Sequence, residues 1–291
     1  MARPLMLFGL IPLLFLMLGC AAPKGVIIAH RGASWHLPEH TLPAYALAHG
    51  MGAGMIEPDV VVTRDGVLIC AHDLTMEATT NVAEVFPGRA REDGKWYWVD
   101  FDLPEIRTLR AYGRGAARDP GYGVATLDEM ITLVQRLDAR AGRTTGIIPE
   151  IKSPAFHTEH GYDLGGMLVD ALARHGYSGP KDAAVIQCFD LPTLKHLHAS
   201  GCRLRLVWLI GEEPNALDVL RASEFCHGIG PSRKLIEDEA GKGTDLLARA
   251  RQYNLAVYPY TFKDEPEAVL RFLNDHRVEG VFCDDPAVLS R

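Results

Sequence analysis

The sequence predicts an α/β chain folded as a (β/α)8 barrel, the TIM barrel, and three observations lead there. Eight short apolar runs follow one another along the chain, VIIAH, IEPDV, IIPEI, AVIQC, LVWLI, HGIGP, AVYPY and GVFCD, with helical spacing between most neighbours. Residues 20–291 have the length of one such barrel, roughly 250 residues, with room for an insertion. No glycine-rich phosphate loop follows the first run, which argues against an open doubly wound sheet.

Residues 1–19 carry one charged side chain, Arg3, ahead of an apolar run from Leu5 to Leu18 that is short for a membrane span. They read as a secretory signal. The end of the run, Met17-Leu18-Gly19-Cys20, predicts a bacterial lipoprotein signal in which Cys20 is acylated and becomes the new N-terminus. An ordinary cleaved signal and an uncleaved anchor are the alternatives, and each of the three exports the remainder of the chain.

The first strand, Val26 to His30, stops at His30-Arg31-Gly32, so an imidazole and a fixed cation stand where strand becomes loop. Thr41 caps a helix with Pro43 in its first turn, and this helix ends in the run GMGAG. The next strand carries Glu57 and Asp59, two residues apart and therefore on one face. Buried acids are costly unless they are paired or hold a metal. Pro58 between them lacks an amide hydrogen and predicts a bulge or unpaired position. Thr63-Arg64-Asp65-Gly66 forms a tight turn, and the returning run VLICA delivers His72 and Asp73.

Residues 74–125 break the alternation. They are rich in Arg, Asp, Gly and aromatics, with one short helix expected near Leu103 to Ala111. Trp96, Tyr97, Trp98 and Phe101 give the segment apolar mass to pack, so it reads as a structured insertion rather than a linker. Thr126 and Glu129 then make a capping box ahead of Met130, Leu133, Val134 and Leu137. The strand GIIPEIK repeats the two-residue spacing with Glu150 and Lys152, which either face the site together or merely neutralise one another. Further on, Gly176 ends a helix, AVIQCF carries Gln187, Asp190 caps a helix stopped by Gly201, and AVYPY ends in Tyr260.

Charge and cysteine content narrow the class. The chain has a net charge of −7 and, without Arg3, 29 basic residues stand against 37 acidic ones, so nucleic acid is an improbable partner. After Cys20, the cysteines are Cys70, Cys188, Cys202, Cys226 and Cys283, with no CxxC pair to suggest zinc or redox chemistry. Cys202 with Cys226 is a geometrically possible pair with no other support.

The ordered set HRGA, PEHT, E-x-D, a T-x-DG turn and HD, followed by FPGRAREDG, IPEIKSP, IQCFD and YPYT, resembles the glycerophosphodiester phosphodiesterase family, and its periplasmic bacterial members in particular. The likeness covers nearly all of residues 20–291. It implies a barrel with a small insertion after the second strand, here residues 74–125. It also implies a glycerophosphodiester substrate, such as glycerophosphocholine, cleaved to sn-glycerol 3-phosphate and an alcohol. Calcium as the ion and a periplasmic, envelope-anchored location through Cys20 are further implications of the resemblance. The pattern departs from the commoner PENT at His40.

Residue chemistry gives the roles. Glu57, Asp59 and Glu150 make an all-oxygen site suited to a hard divalent ion, Ca2+ or Mg2+, rather than zinc. Arg31 and Lys152 would offset phosphate charge, with Glu39 orienting Arg31. His30 and His72 would divide the proton transfers, in an order the sequence leaves open. Gln187, Phe189, Trp208 and Tyr260 are candidates to line the glycerol, Gln187 foremost, and Asp73 either orients His72 or caps the next loop. His36, His40, His49, His157 and His160 read as surface or structural residues. Two other classes stay open: an exported lipoprotein that only binds a ligand on this fold, and a phospholipase-type phosphodiesterase acting on intact lipid.

Overall fold

The computed structural model describes residues 25–113 and 121–290; residues 1–19, Cys20 and 114–120 of the insertion lie outside it. The first barrel strand is β1 (Val26–His30), followed by α1 (Leu42–Gly50). The second barrel strand is broken into β2 (Met55–Glu57) and β3 (Asp59–Val62), and β4 (Leu68–Cys70) returns antiparallel along β3. The third is broken likewise, into β5 (Gly146–Ile147) and β6 (Glu150–Ile151). The others are β7 (Val185–Cys188), β8 (Arg205–Ile210), β9 (Gly228–Pro231), β10 (Ala256–Val257) and β11 (Gly280–Cys283).

Both breaks fall at a proline. Pro58 separates β2 from β3, as its missing amide hydrogen predicts, and Pro149 does the same between β5 and β6. The ring is therefore two sheets, β11-β1-β2-β5 and β10-β9-β8-β7-β6-β3-β4. Between strands β10 and β11 they meet through Glu279 N donating to Val257 O (3.1 Å) and Phe262 N donating to Phe282 O (2.8 Å). Apart from β3 with β4, the paired strands run parallel, as a (β/α)8 barrel requires.

Outside the ring stand α4 (Leu127–Ala141), α5 (Pro154–Glu159), α6 (Leu164–Arg174), α7 (Leu191–Ala199), α8 (Ala216–Ser223), α9 (Asp245–Gln252) and α10 (Pro266–Asn274). Their start signals act as expected. Thr41 Oγ1 accepts from Ala44 N, Thr126 and Glu129 complete a reciprocal capping box, and Asp190 accepts from Thr193 N at 2.9 Å. Between strands and helices lies the main core, with Ile56, Val60, Met130, Leu168 and Ile186 fully buried. Ile28, Ile148, Val185, Val207 and Phe282 form a separate apolar cluster contributed by strand residues. Such side chains each contribute roughly 1.5–3 kcal/mol through burial.

The described part of 74–125 builds its own core. Met76, Val82, Trp98, Phe101 and Ile106 pack on Val61 and Ile69 of the β3–β4 hairpin. The described part carries two one-turn α-helices, α2 (Val82–Val85) and α3 (Leu103–Ile106), the second shorter than the sequence suggests. Farther on, the main chain is drawn elsewhere: Arg110 N donates to Asn81 Oδ1 (2.8 Å) and Ala111 N to Tyr122 O (2.7 Å). The arginines of FPGRAREDG are tied back onto the insertion, for Arg91 pairs with Asp100 at 2.7 Å and the Arg89 guanidinium lies 4.2 Å over the Phe101 ring. Cys202 and Cys226 are both free thiols, as are the other three described cysteines.

Candidate active site

Strand register assembles the acids. His30 of β1 is level with Glu57 of β2, Asp59 of β3 with Glu150 of β6, and Glu150 with Gln187 of β7. Glu57, Asp59 and Glu150 are buried, and each offers an oxygen within 4.8 Å of the others. Gln187 Nε2 donates to Glu57 Oε1 (3.3 Å) and Ile148 O (3.2 Å), which fixes Glu57 from the side opposite Arg31, whose backbone N–H donates to Glu57 Oε2 at 2.8 Å.

Three carboxylates so close cannot all stay ionised without cations. Burial, and after it repulsion from Asp59 and Glu150, pushes Glu57 well above the usual carboxylate range. Glu150 is pushed up to about 8 by burial and Asp59, against the opposing pull of Lys152. Asp59 goes the other way: burial would raise it, but Lys152, the His40 hydrogen bond and Arg31 together hold it well below its ordinary value. Lys152 Nζ lies 2.7 Å from Glu150 Oε1 and 3.7 Å from Asp59 Oδ1. Burial works against the Lys152 charge, but Asp59 and Glu150 keep its pKa raised. Among the described residues no hydrogen bond reaches the buried atoms Asp59 Oδ1 and Gln187 Oε1. An anionic oxygen pocket with bare acceptors fits a hard divalent cation.

The two histidines named from the sequence carry the same device. His30 Nδ1 lies 2.6 Å from Asp284 Oδ1, and His72 Nδ1 lies 2.6 Å from Asp73 Oδ1. Ser34 Oγ donates to His30 O (2.8 Å), closing the loop over this end of the strand. Arg31 sits at a left-handed φ of +60°, which is costly for a non-glycine residue and points its side chain back across the mouth. There Nη1 meets both oxygens of Glu39 at 3.3 Å and Nε lies 3.3 Å from Asp59 Oδ2, so Glu39 does orient it.

Lys152 and Gln187 thus join the acids directly. Tyr260 is on the rim, its hydroxyl donating to Ile210 O (2.9 Å) and its ring edge-to-face with exposed Phe189, 5.9 Å away. Trp208 turns its Nε1 to Phe189 O (3.2 Å). Two neighbours escaped the sequence reading. Asp284 ends the run GVFCD, and its place at the C-terminal end of a strand was an available signal. His40, read as a surface or structural residue, is buried and reaches the acidic cluster, with Nε2 2.9 Å from Asp59 Oδ2 and Nδ1 2.8 Å from Tyr45 OH. Nothing in its own loop announces that contact. His49 and His36 are structural as expected, paired with Asp138 and Asp285.

Fold and site together define a class: a TIM-barrel enzyme with acids, a lysine and two carboxylate-anchored imidazoles at its mouth. Residues 30–288 match the model of the glycerophosphoryl diester phosphodiesterase family, and the chain belongs to that family; it is a phosphoric diester hydrolase. A glycerophosphodiester phosphodiesterase of Haemophilus influenzae is 32% identical over 318 residues, spanning 90% of this chain and 87% of the relative. One of Bacillus subtilis is 30% identical over 279 residues, spanning 91% and 85%. Among solved structures, an Oleispira antarctica phosphodiesterase in complex with the product sn-glycerol-3-phosphate shares the fold, with a TM-score of 0.70, 20% identity and coverage of 92% and 96%.

Proposed function

We propose that the chain hydrolyses glycerophosphodiesters to sn-glycerol 3-phosphate and an alcohol, with a divalent cation held by Glu57, Asp59 and Glu150. The observation that carries this reading is the buried acidic cluster beside two imidazoles, each anchored at Nδ1 by an aspartate 2.6 Å away. The substrate class is supported by the names of the relatives and by the product in the Oleispira antarctica structure. Calcium is the ion favoured and magnesium the alternative; either, when bound, supplies positive charge that polarises the phosphorus.

The chain's own residues do the rest. Arg31 and Lys152 neutralise the phosphate oxygens, Arg31 through a planar guanidinium already steadied by Glu39. An imidazole that gives its Nδ1–H to a carboxylate exposes the Nε2 lone pair, so His30 and His72 are each poised to move one proton there. One takes the proton of the attacking hydroxyl, and the other protonates the departing alkoxide, a poor leaving group near neutral pH. The attacker is a neighbouring glycerol hydroxyl, by way of a cyclic phosphate, or water. Gln187 and Tyr260 bound the space for the glycerol. In this reading residues 1–19 direct export, and Cys20 carries a lipid that tethers residues 20–291 to the envelope in the periplasm.

The deciding experiment follows sn-glycerol 3-phosphate released from glycerophosphocholine with Ca2+, Mg2+ or chelator, alongside Glu57→Ala and His30→Ala. Release that needs a cation and is lost in both variants is expected. Equal release in chelator would remove the cation from the reading. The mass of the first residue of chain purified from cells tests the anchor, an acylated Cys20 being the expected species.

A further inference from the structure

Asp59 has its two oxygens in unlike surroundings. Oδ2 receives His40 Nε2 at 2.9 Å and has Arg31 Nε at 3.3 Å, whereas among the described residues no hydrogen bond reaches Oδ1, which has Lys152 Nζ 3.7 Å away; Asp59 offers one of its oxygens to the cluster with Glu57 and Glu150. An ionised carboxylate only accepts, so His40 must donate from Nε2. The other ring nitrogen, Nδ1, lies 2.8 Å from Tyr45 OH, a hydroxyl able to donate to it. His40, Tyr45 and Asp59 are all buried, Tyr45 and Asp59 being 0% and 1% exposed, so water does not compete for these bonds.

We propose that His40 is a positioning residue for the cation site: held by Tyr45 as the tautomer with its proton on Nε2, it occupies Asp59 Oδ2 and so turns Oδ1 toward the ion. This rests on the assignment of a divalent cation to Glu57, Asp59 and Glu150. Groups that fix a ligating carboxylate act on affinity through geometry, and their loss typically weakens metal binding about 10- to 100-fold. His40 itself touches neither substrate nor ion.

The test is calorimetric Ca2+ binding to the full folded chain without substrate, for wild type, His40→Leu, His40→Gln and Tyr45→Phe. Glutamine puts an N–H close to where Nε2 stands, whereas leucine keeps bulk and no donor. His40→Leu is expected to lose at least about 10-fold in affinity, His40→Gln to stay within about 3-fold of wild type, and Tyr45→Phe to fall between them. Leucine and wild type binding alike, or glutamine failing as badly as leucine, would overturn the inference. If His40→Leu does not fold, Tyr45→Phe and the nitrogen-15 spectrum of wild-type His40 decide: a neutral ring with its proton on Nε2 is expected, and a proton on Nδ1 rejects it. A wild-type chain that binds neither Ca2+ nor Mg2+ would instead defeat the cation assignment itself, and this inference with it.

Discussion

His30 Nδ1 and Asp284 Oδ1 stand 2.6 Å apart, so the first strand of the barrel and the residue just after the last one share a hydrogen bond beside the parallel pair Ala29 and Cys283. Asp284→Asn keeps the shape and removes the charge that anchors the imidazole. We expect kcat to fall about 10- to 100-fold with KM near wild type, and His30→Ala to lose about 10²- to 10⁴-fold. Steady-state kinetics on glycerophosphocholine checks both. A rise in KM alone would mean that Asp284 serves binding instead.

Protonation of the acidic cluster gives a sign for stability. Glu150 is held up to about 8 in the folded chain against 4.5 ordinarily, and Glu57 is raised too, so the folded state keeps protons that the unfolded state releases. Stability of the cation-free chain therefore declines as pH rises from about 4.5 through about 8. Under the cation assignment proposed above, saturating Ca2+ is expected to displace those protons and remove the decline. Melting curves in chelator and in Ca2+ should draw apart as pH increases; a gap independent of pH would contradict this.

His157 predicts the opposite slope. It is fully buried, neither ring nitrogen has a hydrogen-bond partner among the described residues, and burial, then nearby His160, pushes it down to about 4. The unfolded chain takes up a proton below about 6.5 that the folded chain refuses. Wild type should lose roughly 1–3 kcal/mol relative to His157→Leu as pH falls from about 6.5 to about 4. Urea unfolding of the pair across that range measures the difference, and parallel curves would reject it.

Arg31 is a test of shape over charge. Its guanidinium meets Glu39 and Asp59 at once, which an ammonium cannot copy. Arg31→Lys is expected to retain the fold and raise KM at least about 10-fold. Activity indistinguishable from wild type would show that charge alone suffices.

The barrel was legible because eight apolar runs and their caps are local signals: Thr41, Thr126 and Asp190 mark helix starts without knowledge of the rest. The acids were legible for a related reason, since Glu57 with Asp59 and Glu150 with Lys152 alternate along single strands. The contact of His40 was not, because Asp59 lies 19 residues away and spacing carries no trace of it; Asp284 was marked only by its place at the end of a strand, its partner His30 lying 254 residues away. The early end of α3 is of the same kind, set by Asn81 and Tyr122 rather than by residues 107–111.

The bond between His30 and Asp284 also bears on the order in which the molecule becomes competent during synthesis. By the time Gln187 has been made, every acid of the cluster exists, yet the histidine beside them lacks its anchor and the ring is open. A ribosome that halts before Gly280, or a protease that cuts there, leaves a protein with Glu57, Asp59 and Glu150 but without the strand that pairs with β1. The His30 imidazole is therefore anchored only once the C-terminal strand has closed against β1.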